Sequence, residues 1–315
     1  MLIITPNWLG DVIMAQPAIH ALSASQKSPM VLYGKPWLRD LLPLLNLGDA
    51  TYSDTLKVET QSAVLFTNSV GSAWRLFRSG AKHRIGFDTE WRGFLLDEAY
   101  TPSLDMRTQH HREYFLDLVE QMQVPVPQRD VSLQVSAQMR DQGEAWLIAQ
   151  GLDPQRTVCV AAGAEFGAAK RYPATSYSKV LKQLSDEGWQ ILMLGTDGER
   201  KISDACLLQI SHTAFNAAGK TTLTEALAVI SASRMLLCND SGLMHVAAGM
   251  QKPVVGIFGA TDPLRTRPSG QHVHLLYEPA ACSPCLKREC GVVGHPCMNN
   301  LSAEFVAQTC LNVLS

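Results

Sequence analysis

The chain has 315 residues, 46% of them hydrophobic and 18% charged, with a formal net charge of −2. This much apolar material fills two ordinary cores and excludes disorder, and the slightly acidic balance argues against nucleic-acid binding, where cations supply most of the affinity. No apolar run approaches the roughly 20 residues that span a bilayer, and Met-Leu-Ile-Ile-Thr-Pro-Asn-Trp shows no basic leader before a long hydrophobic stretch, so a cytoplasmic enzyme is expected.

Leu2 to Thr5 reads as a short strand running into a Gly-containing turn, Asn7-Trp8-Leu9-Gly10-Asp11. Helical spacing follows over Val12 to Ser23, then strands at Met30 to Tyr33, Ala63 to Thr67 and Arg84 to Phe87, and a helix over Tyr114 to Met122. Asn68-Ser69 follows one of these strands. Cations and aromatics concentrate in this half, in Trp74-Arg75-Leu76-Phe77-Arg78, Lys82-His83-Arg84, Trp91-Arg92-Gly93-Phe94 and Arg107 to Arg112, which reads either as a solvated helix face or as a basic acceptor site. The pattern breaks at Val124 to Asp130, a mixed helix covers Gln142 to Gln150, and the alternation restarts at Thr157.

The second series opens like the first, with a strand leading into Gly163-Ala164-Glu165-Phe166-Gly167 and then Lys170. A helix over Tyr177 to Glu187 precedes the strand Gln190 to Leu194, whose end carries Gly195-Thr196-Asp197-Gly198-Glu199. Another helix, Leu223 to Ser231, leads to the strand Met235 to Cys238. There Asn239-Asp240-Ser241-Gly242-Leu243-Met244-His245 turns into a small-residue helix, so backbone N–H groups face out where phosphate binds well. The strand Pro253 to Phe258 and the turn Gly259-Ala260-Thr261-Asp262-Pro263 follow. Asp-Ser-Gly is also ordinary capping chemistry, and Asp11 and Glu199 are equally readable as acids that complement a helix dipole. The alternation predicts an α/β chain of two doubly wound Rossmann-like domains facing a cleft, 1–150 and 151–315.

Eight cysteines in a chain without a leader are expected to be reduced thiols. Cys282, Cys285, Cys290 and Cys297, with His295 adjacent, have spacings that suit tetrahedral thiolate coordination of zinc or an iron–sulfur cluster, or else a tightly turned reduced loop or an opportunistic disulfide.

Asn239 to His245 with Pro253 to Gly259 resembles the nucleotide-sugar motif of the bacterial ADP-heptose:lipopolysaccharide heptosyltransferases, and Asn7-Trp8-Leu9-Gly10-Asp11-Val12-Ile13-Met14-Ala15-Gln16-Pro17 resembles their acceptor-side motif. The Cys-Ser-Pro-Cys segment and the Asn-Trp start are similar to the heptosyltransferase II branch. The resemblance covers nearly the full chain and implies the GT-B glycosyltransferase fold, in which the final helix, here Ala303 to Val313, packs back on the first domain. It implies ADP-heptose as donor, Kdo-lipid A inner core as acceptor, inversion, and peripheral attachment to the cytoplasmic face of the inner membrane. Asp11 then matches the general base and Lys170 a phosphate-contacting cation. Gly163, Gly195, Thr196, Glu199, Asp240, Ser241, Gly242, Leu243 and His245 match donor contacts, with Glu199 on the ribose, and Asn7, Trp8, Gly10, Asn68 and Ser69 match the acceptor side. Heptosyltransferases I carry hydroxyl residues where this chain has Glu165 and Phe166. No Asp-x-Asp pair marks a metal-diphosphate site, so no cofactor is required. Transfer to Kdo or to an outer-core heptose, and an epimerase or hydrolase on the same architecture, are the alternatives.

Overall fold

A computed structural model describes residues 1–26, 28–56, 61–105, 107–210 and 213–315. It divides into two compact units, Met1–Gln134 and Val135–Ser315.

The first unit holds the strands β1 (Leu2–Ile4), β2 (Val31–Tyr33), β3 (Thr51–Ser53), β4 (Ser62–Leu65), β5 (His83–Phe87) and β6 (Glu98–Tyr100). They form one sheet in the order β3-β2-β1-β4-β5-β6, parallel throughout, with Leu2 opposite both Val31 and Ala63. Its helices are α1 (Leu9–Ser25), α2 (Leu38–Leu41), α3 (Val70–Arg78) and α4 (His111–Gln121). A parallel strand is covered on both faces, so β1 and β4 are nearly unbroken apolar runs. Leu2, Ile4, Ala63 and Leu65 pack with Ala73 and Leu76 of α3 in one buried cluster.

The second unit repeats this plan. Its strands β7 (Thr157–Ala161), β8 (Gln190–Met193), β9 (Ala214–Asn216), β10 (Met235–Asn239), β11 (Val254–Phe258) and β12 (Val273–Tyr277) form a parallel sheet in the order β12-β11-β10-β7-β8-β9. Its helices are α5 (Ala137–Ala149), α6 (Ala174–Asp186), α7 (Arg200–Cys206), α8 (Leu223–Ala232), α9 (Gly242–Gly249), α10 (Pro263–Thr266), α11 (Pro296–Asn299) and α12 (Ala303–Leu314).

In each sheet the chain runs outward to one edge and then returns to the other side of its first strand. The order therefore reverses between β1 and β4, and between β7 and β10, and the loops leaving the carboxyl ends of those pairs diverge to open a crevice. Asn7 to Asp11 leaves β1 and Thr67 to Ser69 leaves β4. The Gly163 loop leaves β7 and Asp240 leaves β10.

One boundary differs from the sequence reading. Helix α5 belongs to the second unit, whereas the sequence division at 150/151 put it in the first: Gly143 leaves so little room that an added Cβ would lie 2.1 Å from the Ala228 carbonyl oxygen of α8. In the final helix, Val306, Ala307, Cys310 and Leu314 of α12 fill the second unit's core with Tyr177, Val180 and Leu184 of α6.

Candidate functional site

The switch crevice of the first unit is a cavity of about 170 Å³ lined by Pro6, Asn7, Trp8, Asp11, Phe66, Thr67, Asn68, Ser69, His111 and Phe115. Asp11 sits in the first turn of α1, whose N-cap, Trp8, makes no side-chain cap bond. Its carboxylate lies 3.6 Å from Nδ1 of His111 at the start of α4. The sequence pointed to Asn7, Trp8, Asp11, Asn68 and Ser69, and the structure lines one cavity with all five; Gly10 is in α1 beside them. His111 was assigned only to a general basic region, because nothing local in the sequence links α4 to α1.

A buried cation braces the Asn68–Ser69 turn. The Arg92 guanidinium donates to the carbonyls of Phe87 (2.7 Å), Thr67 (2.5 Å) and Ser69 (3.4 Å), and burial lowers its pKa from the usual arginine value. Tyr114 donates its hydroxyl to Oδ1 of Asn68 at 2.8 Å, and burial pushes its pKa up to about 12. Ser69 then caps α3, accepting from the Ser72 N–H. These bonds satisfy carbonyls that the sharp turn removes from the sheet ladder.

In the second unit Asn239, at the end of β10 and fully buried, ties the two switch loops together. Its amide donates to the carbonyls of Ala162 (2.7 Å) and Gly163 (3.1 Å) and its oxygen accepts from Tyr172 N–H and Tyr177 O–H. Asp240 is 5% exposed, and its Oδ2 accepts from Lys170 Nζ and from Thr261 Oγ1, both at 2.6 Å. Lys170 is thus held over the start of α9, where Ser241 is the N-cap and Gly242 and Leu243 open the helix. The N–H groups of such a first turn have no partner inside the helix and carry its positive dipole end. His245 is buried in the same helix.

Glu199 is a cap and something more. Its Oε2 accepts from the N–H and hydroxyl of Thr196, while Oε1 lies 1.8 Å from where a Cβ on Gly163 would stand. A Cβ at Gly195 would come within 3.0 Å of Oε2, so both glycines make room for this carboxylate. Gly163, Gly195, Thr196 and Glu199 are therefore one group, linked through Asn239 to the Asp240 loop.

The cysteine segment docks on the Lys170 loop. Arg288 accepts from Ala169 N–H through its carbonyl at 3.0 Å, His295 Nε2 lies 3.0 Å from the Ala169 carbonyl, and Leu286 donates its N–H to Ala260. A Cβ on Gly167 would lie 2.2 Å from the Arg288 carbonyl, so only glycine admits the segment this closely. The Phe166 ring is shared by two cations, Lys170 Nζ at 4.8 Å and Arg288 at 5.3 Å. Cys282 is exposed, Cys285 and Cys290 are half-buried and Cys297 is buried, all free. Among the described residues no three His, Cys, Asp or Glu side chains are gathered to hold a metal ion.

A larger cavity, about 400 Å³, lies at the amino ends of β11 and β12, lined by Pro253, His272, His274, Thr309, Asn312 and Val313. Size does not make it the site, because ligands of doubly wound sheets bind at the carboxyl ends.

The family model for glycosyltransferase family 9, the heptosyltransferases, matches residues 55–294. Lipopolysaccharide heptosyltransferase 2 of Escherichia coli K12 is 30% identical over 305 residues, 88% of this chain and 87% of that protein. Lipooligosaccharide heptosyltransferase 2 of Haemophilus ducreyi is 30% identical over 312 residues, 88% of each chain. The solved structure of Escherichia coli ADP-heptose lipopolysaccharide heptosyltransferase II superposes with a TM-score of 0.82 at 25% identity, covering 99% of this chain and 98% of that one. The expected GT-B fold is the observed one, and an epimerase or hydrolase is not favoured. With two parallel six-stranded sheets and a family match over most of its length, the chain belongs to glycosyltransferase family 9, the heptosyltransferases, and is a glycosyltransferase.

Proposed function

We propose that this enzyme transfers L-glycero-D-manno-heptose from ADP-heptose to the first heptose of the Kdo-lipid A inner core, with inversion, the reaction of a heptosyltransferase II. The observation that carries the chemistry is the Lys170–Asp240–Thr261 group at the amide end of α9. It sets an ammonium and a helix end's N–H donors beside one fixed carboxylate, suited to a diphosphate and the sugar attached to it. The acceptor step is supported by Asp11 in its crevice and by the relatives that match most of the chain, which are heptosyltransferases 2, whereas a heptosyltransferase 1 and a heptosyltransferase 3 match only about a third of it.

In this reading Asp11 takes the proton of the acceptor hydroxyl, with His111 at 3.6 Å as its neighbour for onward transfer. The hydroxyl oxygen bonds to the anomeric carbon on the face opposite ADP, and the bond from that carbon to the diphosphate oxygen breaks. Lys170, Arg288 and the α9 amides receive the charge that collects on the departing diphosphate. Asp240, its Oδ2 already engaged, offers Oδ1 to a sugar hydroxyl, while Glu199 Oε1 beside Gly163 suits the ribose. No step needs a metal ion. The lipid-linked acceptor would place the enzyme at the cytoplasmic surface of the inner membrane.

The test is transfer from ADP-heptose to Kdo-lipid A carrying one heptose or none, read by mass spectrometry of the lipid. One heptose added to the monoheptosyl acceptor alone is expected, and addition to bare Kdo, or donor turnover without acceptor, overturns the assignment. Asp11→Asn is expected to lower kcat by about 10²–10⁴-fold with donor affinity intact. Near-parental turnover by this variant, folded, would remove Asp11 as the base.

A further inference from the structure

Beside the acceptor crevice the first unit exposes more aromatic surface than its fold requires. Trp91 is 93% exposed, Phe94 78%, Trp74 50% and Phe77 44%. Trp74 and Phe77 stack on α3 with ring centroids 5.7 Å apart, and Trp91 and Phe94 belong to the 3₁₀ turn Thr89–Leu95, which packs against α3. The turn is built around Arg92. That side chain is fully buried and bonded to three backbone carbonyls, so its neighbours project outward, and Glu90 and Trp91 adopt φ of +55° and +61°. A bulky residue in the left-handed region is disfavoured, so the fold sustains a local cost while leaving a tryptophan in water.

The charges around these rings are selective. Arg84 lies 4.8 Å over the Phe77 ring but is paired with Asp97, and His83 with Glu98. Arg75, Arg78 and Lys82 are exposed, and the exposed acid within the group, Glu90, accepts from Val70 N–H at the start of α3. In the sequence these cations read either as a solvated helix face or as part of the acceptor site. None of them lines the acceptor crevice, which the same helix reaches only through Ser69 at its start.

We propose that α3 and the Thr89–Leu95 turn form the surface by which the enzyme sits on an anionic lipid bilayer, Trp91 and Phe94 entering the headgroup region and Arg75, Arg78 and Lys82 meeting lipid phosphates. The occupant follows from charge complementarity and ring type. Amphipathic aromatics settle at the bilayer interface, and each basic side chain near an anionic surface adds to the attraction. A protein partner would be expected to bury rings in a pocketed core rather than share them with a fringe of exposed cations. The position of the patch at the start of α3 makes sense if the acceptor is itself embedded in that bilayer, and to that extent the inference rests on the proposed function.

The test uses the full chain with vesicles of phosphatidylethanolamine and phosphatidylglycerol, and vesicles of phosphatidylcholine alone. Binding to the anionic vesicles is expected, weakening with salt and accompanied by a blue shift of tryptophan emission. Trp91→Ser with Phe94→Ser, and separately Arg75→Gln with Arg78→Gln, should each lower binding at least about tenfold, since one buried aromatic and one or two phosphate contacts are worth that much. Both double variants should lose transfer to vesicle-embedded acceptor while keeping transfer to a deacylated, water-soluble acceptor within about twofold, and that retained activity also shows that they fold. If no acceptor is glycosylated yet vesicle binding still falls in the variants, the docking surface stands and the functional reading fails. Equal binding by parent and variants, or a self-association that the variants abolish while vesicle binding persists, overturns the proposal.

Discussion

Lys170 and Asp240 are each acceptable where they are because of the other. Asp240 is 5% exposed and the lysine side chain 13%, with 2.6 Å between Nζ and Oδ2. Removing the ammonium strands a carboxylate that Thr261 alone cannot satisfy, so Lys170→Met is expected to lose about 3 kcal/mol of stability as well as catalysis. A drop in kcat of about 10²–10³-fold is expected for loss of one charge-stabilising group, with Lys170→Arg recovering part of it. Urea unfolding beside single-turnover assays separates the two losses, and an unchanged kcat in folded Lys170→Met would move leaving-group stabilisation to Arg288 and the α9 amides. Lys170, Asp240, Asp11 and Glu199 were legible because each follows a glycine turn or capping residue at a strand end. Asn239, Thr261, His111 and Arg288 were not, since their roles arise from contacts that no local spacing encodes, as with His295 and Ala169, 126 positions apart.

Among the strands, reading by pattern found the inner ones and missed β3, β6, β9 and β12. These are the outermost strands of the two sheets. An inner parallel strand is buried on both faces and shows as an apolar run, like Met235–Asn239, whereas an edge strand has one neighbour and no such run. Thr51–Ser53, Glu98–Tyr100 and Ala214–Asn216 have three residues each and none is buried. The fate of α5 was similarly hidden, because its helical pattern does not say which sheet it covers. Gly143 is the residue that decides it. In a free helix Gly→Ala would gain about 1 kcal/mol, but a Cβ 2.1 Å from the Ala228 carbonyl must push α5 off α8, which costs about 1–3 kcal/mol. Gly143→Val, with a larger overlap and no propensity gain to match, is expected to lower the thermal midpoint clearly, with hydrogen exchange rising in both helices. A variant as stable as the parent would show that the α5–α8 contact is not what binds α5 to the second unit.

At the scale of the whole molecule the two units differ in buried acids. The first carries Tyr114, pushed up to about 12 by burial. In the second, burial raises Tyr172, Cys159, Cys206 and Cys310 to about 12, and raises Tyr177 and Cys238 as well. All cysteines of the chain lie in this second unit. These groups are neutral in the fold and would ionise at about 8.5 to 10 once exposed. Above that range the unfolded chain binds fewer protons than the native one, so stability is full below the unfolded values and falls as pH rises toward the folded values. Burial also raises Tyr100 in the first unit and Tyr277 and Cys297 in the second, so the second unit has eight such groups against two, and its loss must be the steeper. Urea titrations at about pH 7.5 and about pH 10.5, read by pulse proteolysis with the fragments mapped, should show peptides from 135–315 losing protection at lower denaturant on the alkaline side, while those from 1–134 shift less. The donor site would then fail first in alkali, because Tyr177 holds Asn239 and Asn239 holds the Gly163 turn. Earlier loss of the 1–134 peptides would mean that buried thiols and phenols do not set the alkaline limit of this enzyme.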